Sequence, residues 1–80
     1  MSNKIKNIYC WNAISITNKF DEIILALNEN EIDILAVNET KIDKIDEYFY
    51  NNEKFNCIFN SRNRHVGGVA FIVKKELDFV

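Results

Sequence analysis

The chain has 80 residues, of which 48% are hydrophobic and 28% charged, proportions of an ordinary soluble globular segment that exclude a disordered or fibrous class. A chain of this length buries only about 60% of the surface its unfolded form exposes, so it makes one small domain or part of a larger one. The formal net charge of −2 excludes the broad basic field by which some proteins grip nucleic acid through charge alone, and leaves local or metal-mediated contact as the route to such a partner.

Cys10 and Cys57 both lie in apolar runs, without a second cysteine at metal-ligand or redox spacing, and are expected as reduced core residues. No apolar run approaches the roughly 18 residues of a membrane-spanning helix, and the opening Met-Ser-Asn-Lys lacks the apolar region of a signal peptide. An intracellular location, cytoplasmic or nuclear, is the expectation.

Residues 4–12 (KIKNIYCWN) are rich in Ile, Tyr and Trp and precede a small polar stretch, which predicts a first strand with large groups on both faces, buried on both sides. Phe20, Ile23, Ile24 and Leu27 then recur at i, i+3, i+4 and i+7, the stripe of an amphipathic helix over residues 19–28. Asn18 and Asp21 are spaced as a capping box at its start. Residues 32–38 (IDILAVN) read as a second strand suited to burial on both faces. Strand, helix and strand in this order predict a βαβ unit with parallel strands and a right-handed crossover.

Residues 39–52 form a polar loop with room for one short helix, and Tyr48, Phe49 and Tyr50 are expected to pack as a lid on the core. Residues 54–60 (KFNCIFN) and 68–74 (GVAFIVK) are two further strands around a basic turn, residues 61–67, and predict an antiparallel hairpin. Gly67 and Gly68 supply flexible backbone at the junction. The fold class is α/β, a βαβ unit plus a β-hairpin in a single unit spanning residues 1–80.

In an open sheet with parallel strands, ligands bind outside the carboxyl ends of the strands. Asn12 closes the first strand and Glu39 follows the second, so the fold brings an amide and a carboxylate to one sheet edge. Such a pair suits a corner of a Mg²⁺ site, because that ion takes one or two carboxylates and fills its shell with water and phosphate oxygens. A turn-forming Asn and a solvated loop Glu are the plainer reading of the same residues.

Three motifs in order then carry a resemblance. The run Ile8-Tyr9-Cys10-Trp11-Asn12 resembles the opening Trp-Asn strand of the endonuclease/exonuclease/phosphatase (DNase I-like) superfamily. The stretch from Asp33 through Asn38-Glu39-Thr40-Lys41 is similar to its Asp-Ile-Leu-x-Leu-x-Glu-Thr signature. The segment Gly67-Gly68-Val69-Ala70-Phe71-Ile72 resembles its Gly-Gly-Val-Ala-Ile strand, and its basic flank is most like non-LTR retrotransposon endonucleases. The resemblance implies the N-terminal portion of a DNase I-like α/β sandwich, in which two packed mixed sheets are flanked by helices.

It further implies a Mg²⁺-dependent phosphodiesterase acting on nucleic acid, DNA in preference, with Glu39 as the metal-binding glutamate and Asn12 as the asparagine that orients it and the phosphate. The family's later elements, a Tyr, an Asp-x-Asn pair and a Ser-Asp-His stretch, have no match in these residues. The expectation is therefore an incomplete segment, inactive alone, with self-association through uncovered sheet surface. A non-catalytic remnant, or a small α/β module binding nucleic acid through its basic turn, is the alternative. Arg62, Arg64, Lys74 and Lys75 are the candidates for backbone contact. His65 matches no family histidine and is expected as a solvated turn residue.

Overall fold

The computed structural model describes residues 7–76, so the opening residues 1–4 and the start of the predicted first strand, residues 4–6, lie outside it. Within it run strand β1 (Ile8–Asn12), helix α1 (Phe20–Glu29), strand β2 (Ile34–Asn38), a 3₁₀ helix (Lys44–Phe49), strand β3 (Phe55–Asn60) and strand β4 (Val69–Lys74). The sheet has the order β1-β2-β4-β3. β1 and β2 pair in parallel, β4 runs antiparallel to β2, and β3 and β4 form the antiparallel hairpin. The hairpin thus inserts its second strand at the centre, making a mixed sheet.

Helix α1 buries Ile23, Ile24 and Leu27, the residues its 3.6-residue period brings to one side. They pack with Leu35, Val37, Ala70, Ile72 and Phe55, and with Ala13, Ile16 and Ile42 from the loops. Most of the opposite sheet face has no covering layer among the described residues, although Val73 on it is buried. There the registers align Cys10, Ala36, Phe71 and Ile58 in one row, and Ile8, Ile34, Val73 and Asn56 in the next.

This one-sided core corrects several expectations. All five residues of β1 are exposed, not buried on both sides, because β1 is an edge strand and one of its faces is open. Cys10 is consequently exposed and only Cys57 is half-buried, although both are free thiols. In β2, Leu35 and Val37 are buried while Ile34 and Ala36 are half-buried. The capping box does not form: Lys19 is the N-cap with no side-chain cap bond, and Asn18 sits at φ 65°. Of the expected aromatic lid only Tyr50 packs inward, against Phe20 and Phe59, while Tyr48 and Phe49 are exposed.

Two groups fix the far end of the sheet. The carboxylate of buried Asp33 accepts the Asn7 N–H at 3.0 Å and pairs with Lys74 Nζ at 3.3 Å. This ties the start of β2 to the end of β4, and engages one of the lysines considered for nucleic-acid contact.

Candidate functional site

The parallel register sets Asn12 opposite Asn38, so Glu39 lies one residue beyond the partner of Asn12. Adjacent strands are about 4.8 Å apart, and the Ala13 N–H donates to the Asn38 carbonyl at 3.0 Å, carrying the pairing past the strand end. The structure thus places both residues at the carboxyl edge of the parallel pair. Asn12 is exposed and Glu39 half-buried. The Asn12 Oδ1 accepts the Ile14 N–H at 3.2 Å, which orients the amide and leaves its Nδ2 to donate outward.

Glu39 leaves the strand in a left-handed backbone conformation, φ 56°, and Lys41 does the same at φ 51°. Thr40 between them is fully buried. Its carbonyl accepts the Ile16 N–H at 3.0 Å, its N–H donates to the Gly68 carbonyl at 3.3 Å, and the Lys41 N–H donates to the Gly67 carbonyl at 3.0 Å. Three separate segments therefore meet around Thr40: the β1–α1 loop, the exit of β2 and the entry to β4. Gly68, at φ 90°, is needed twice over, because a Cβ there would also run into Thr40 Oγ1. That hydroxyl is buried with no hydrogen-bond partner among the described residues.

The basic turn is fastened to the same corner. The Asp43 carboxylate accepts the Arg64 N–H at 2.8 Å, and Asn63 Oδ1 accepts the His65 and Val66 N–H groups at 2.8 and 3.0 Å. Arg62, Arg64 and His65 are exposed, as expected for a solvated turn, and His65 Nε2 accepts from Arg64 Nε at 3.2 Å. The four basic candidates thus divide: Arg62 and Arg64 lie on the turn bonded to the Glu39 loop, whereas Lys74 and Lys75 lie at the opposite end, where the Lys75 N–H meets the Lys54 carbonyl at 2.9 Å.

Among the described residues no three His, Cys, Asp or Glu side chains cluster as a metal cage. One carboxylate with a neighbouring amide fits an open Mg²⁺ site of the kind completed by water and phosphate oxygens, and does not fit a closed structural site. Sequence reading missed Thr40, Gly68 and Asp43. Thr40 and Gly68 stood within recognised motifs, but nothing in either motif shows that the two residues meet.

No protein-family model and no curated protein sequence matches the chain. Solved structures do. An AP endonuclease from Archaeoglobus fulgidus is similar with a TM-score of 0.70 and 29% identity, over 82% of this chain and 26% of that one. The APE2 catalytic domain from Xenopus laevis gives a TM-score of 0.64 and 28% identity, over 84% and 23%. The AP endonuclease LMAP from Leishmania major gives 0.69 at 13% identity, a likeness of fold alone, over 85% and 24%. The chain is a mixed α/β unit of the DNase I-like AP endonuclease fold, and it spans about a quarter of the length of the structures it matches.

Proposed function

We propose that this chain supplies the metal-binding corner of a nuclease that hydrolyses phosphodiester bonds in DNA with Mg²⁺. The observation that carries the reading is the register of β1 on β2, which brings Asn12 and Glu39 to one edge in a fold shared with AP endonucleases. Glu39 is the anionic ligand, and Asn12, its amide oriented by the Ile14 N–H, donates to a phosphate oxygen or to the Glu39 carboxylate. When bound, Mg²⁺ neutralises charge on the phosphodiester as it is attacked.

Arg62 and Arg64 add phosphate contacts from the turn tied to the same loop, which directs backbone binding to this end of the sheet. A Glu39 side chain engaged with metal is not free to take the proton of an attacking water. Cleavage therefore needs groups beyond this corner, and the 80 residues alone are expected to bind metal and DNA without cutting. The retrotransposon-like character of the basic Gly-Gly strand is part of this proposal and rests on the motif itself.

The test is isothermal titration of Mn²⁺, a Mg²⁺ surrogate, into the chain and into Glu39→Gln, with nicking of supercoiled plasmid measured in parallel. Metal binding that requires Glu39, without nicking, is the expected result. Equal metal binding by Glu39→Gln would remove Glu39 from the site, and Glu39-dependent nicking by the chain alone would show that the corner suffices.

A further inference from the structure

We propose that Thr40 and Gly68 are positioning residues for Glu39, a claim that rests on reading Glu39 as the metal-binding carboxylate. A glutamate at φ 56° occupies a region that L residues with a Cβ avoid, and such a conformation persists only where the surroundings over-determine it. Thr40 is what over-determines it here. Its two backbone groups bond to different segments, Ile16 on one side and Gly68 on the other, and the next N–H is held by Gly67.

The side chain completes the latch by shape. It is 0% exposed, and its hydroxyl occupies the space that a Cβ at position 68 would fill. Lying where it meets Gly68, that hydroxyl acts by shape, as a wedge between the β2 exit and the β4 entry. The two left-handed residues on either side turn the chain so that Thr40 points into the protein while Glu39 stays at the rim, half-buried. Removing the wedge lets Glu39 relax toward ordinary φ and swings its carboxylate away from the Asn12 edge. Adding a Cβ at 68 expels the wedge and has the same consequence.

The test uses NMR on the whole chain. Three-bond couplings report the φ of Glu39 without reference to metal, and paramagnetic broadening by Mn²⁺ reports metal affinity. In Thr40→Ala and Gly68→Ala the couplings should leave the left-handed range and Mn²⁺ affinity should fall about tenfold, the scale seen when a group supporting a metal ligand is removed. Thr40→Ser, which keeps the hydroxyl wedge, should retain both. Leu27→Ala, a core truncation away from the latch, should lower the melting temperature and leave the Glu39 couplings and Mn²⁺ affinity unchanged.

Unchanged couplings in both Thr40→Ala and Gly68→Ala overturn the proposal, as does loss of amide dispersion in both, which would make the pair structural instead of positioning. A single variant that unfolds leaves the decision to the other one. Failure of the underlying reading has a separate signature: Glu39→Gln then binds Mn²⁺ as the native chain does, while the couplings still judge the latch.

Discussion

Asn12 and Asn38 face each other across the parallel pair of β1 and β2, and the two differ in what their neighbours do. Beyond Asn38 the chain turns into the left-handed Glu39; beyond Asn12 it folds back so that Ile14 donates to the Asn12 side chain. The edge is therefore built from one residue committed to a local turn and one held from outside by distant segments.

That difference separates two substitutions. Asn12→Ala removes the acceptor of the Ile14 N–H and should lower stability by about 0.5–1.5 kcal/mol while also weakening Mn²⁺ binding. Glu39→Gln, at a half-buried rim position, should change stability by no more than about 0.5 kcal/mol and weaken metal binding more. Denaturant melts beside metal titrations of the two variants check this, and a larger stability loss for Glu39→Gln than for Asn12→Ala would contradict it.

The split of the basic residues predicts unequal effects on DNA. Replacing Arg62 and Arg64 by Ala should weaken binding to duplex DNA and reduce the slope of log K against log salt by about one for each phosphate that is no longer neutralised. Lys74 is engaged with Asp33, so Lys74→Ala should leave that slope unchanged and lower stability instead. Binding measured by fluorescence anisotropy at several salt concentrations separates the cases, and equal slopes for the arginine pair and the native chain would remove the turn from the interface.

The two thiols should differ in reactivity. Burial pushes the Cys57 thiol up from 9.0 to about 11, against the smaller opposing effect of Lys75, while Cys10 is exposed. Since the thiolate is the nucleophile, Cys57 should resist iodoacetamide at pH 8–9 in the folded chain, whereas the exposed Cys10 is accessible to the reagent. The linkage has a definite sign. Between pH 9 and about 11 the unfolded chain has lost the Cys57 proton and the folded chain keeps it, so the stability from the protonated thiol, complete below pH 9, declines through that window. Cys57→Ala should flatten this part of the stability–pH curve.

Much of the fold was legible because the deciding signals are local. The stripe from Phe20 to Leu27 marked α1, and the β-rich runs on either side of the Gly-containing turn marked the hairpin. The parallel order of β1 and β2, and with it the shared edge of Asn12 and Glu39, follows from βαβ handedness. What remained hidden depends on approach between distant segments. Nothing near Asp33 announces Lys74, and nothing near Gly68 announces Thr40. Asn18 has capping chemistry, but its left-handed backbone does not allow it to cap. Cys10 and Trp11 look like core residues because side-chain type shows what a strand can bury, and says nothing of whether a layer is there to bury it.

That open face yields the last prediction. Phe71 and Ile58 are register partners at its centre, exposed by 48% and 59%, and Ile8 near one edge is exposed by 61%. The residues the registers bring to this face, from Ile8 and Cys10 on β1 to Asn56, Ile58 and Asn60 on β3, include no charged side chain. In a chain with 28% charged residues, the described residues of such a face offer no charge to repel a copy of it, and two sheets stacked about 10 Å apart would cover both. Four strands about 4.8 Å apart and five to six residues long give a footprint of only about 300–400 Å² per copy, well below the roughly 800 Å² per partner of a standard stable interface. Association should accordingly be weak and concentration-dependent. Sedimentation equilibrium should show reversible self-association of the native chain, abolished by Phe71→Lys with the helix and sheet signals of circular dichroism unchanged, because this side chain contributes to the open face and not to the core under α1. A native chain that stays monomeric up to millimolar concentration, or an association that Phe71→Lys does not weaken, would show that the face is not where copies meet.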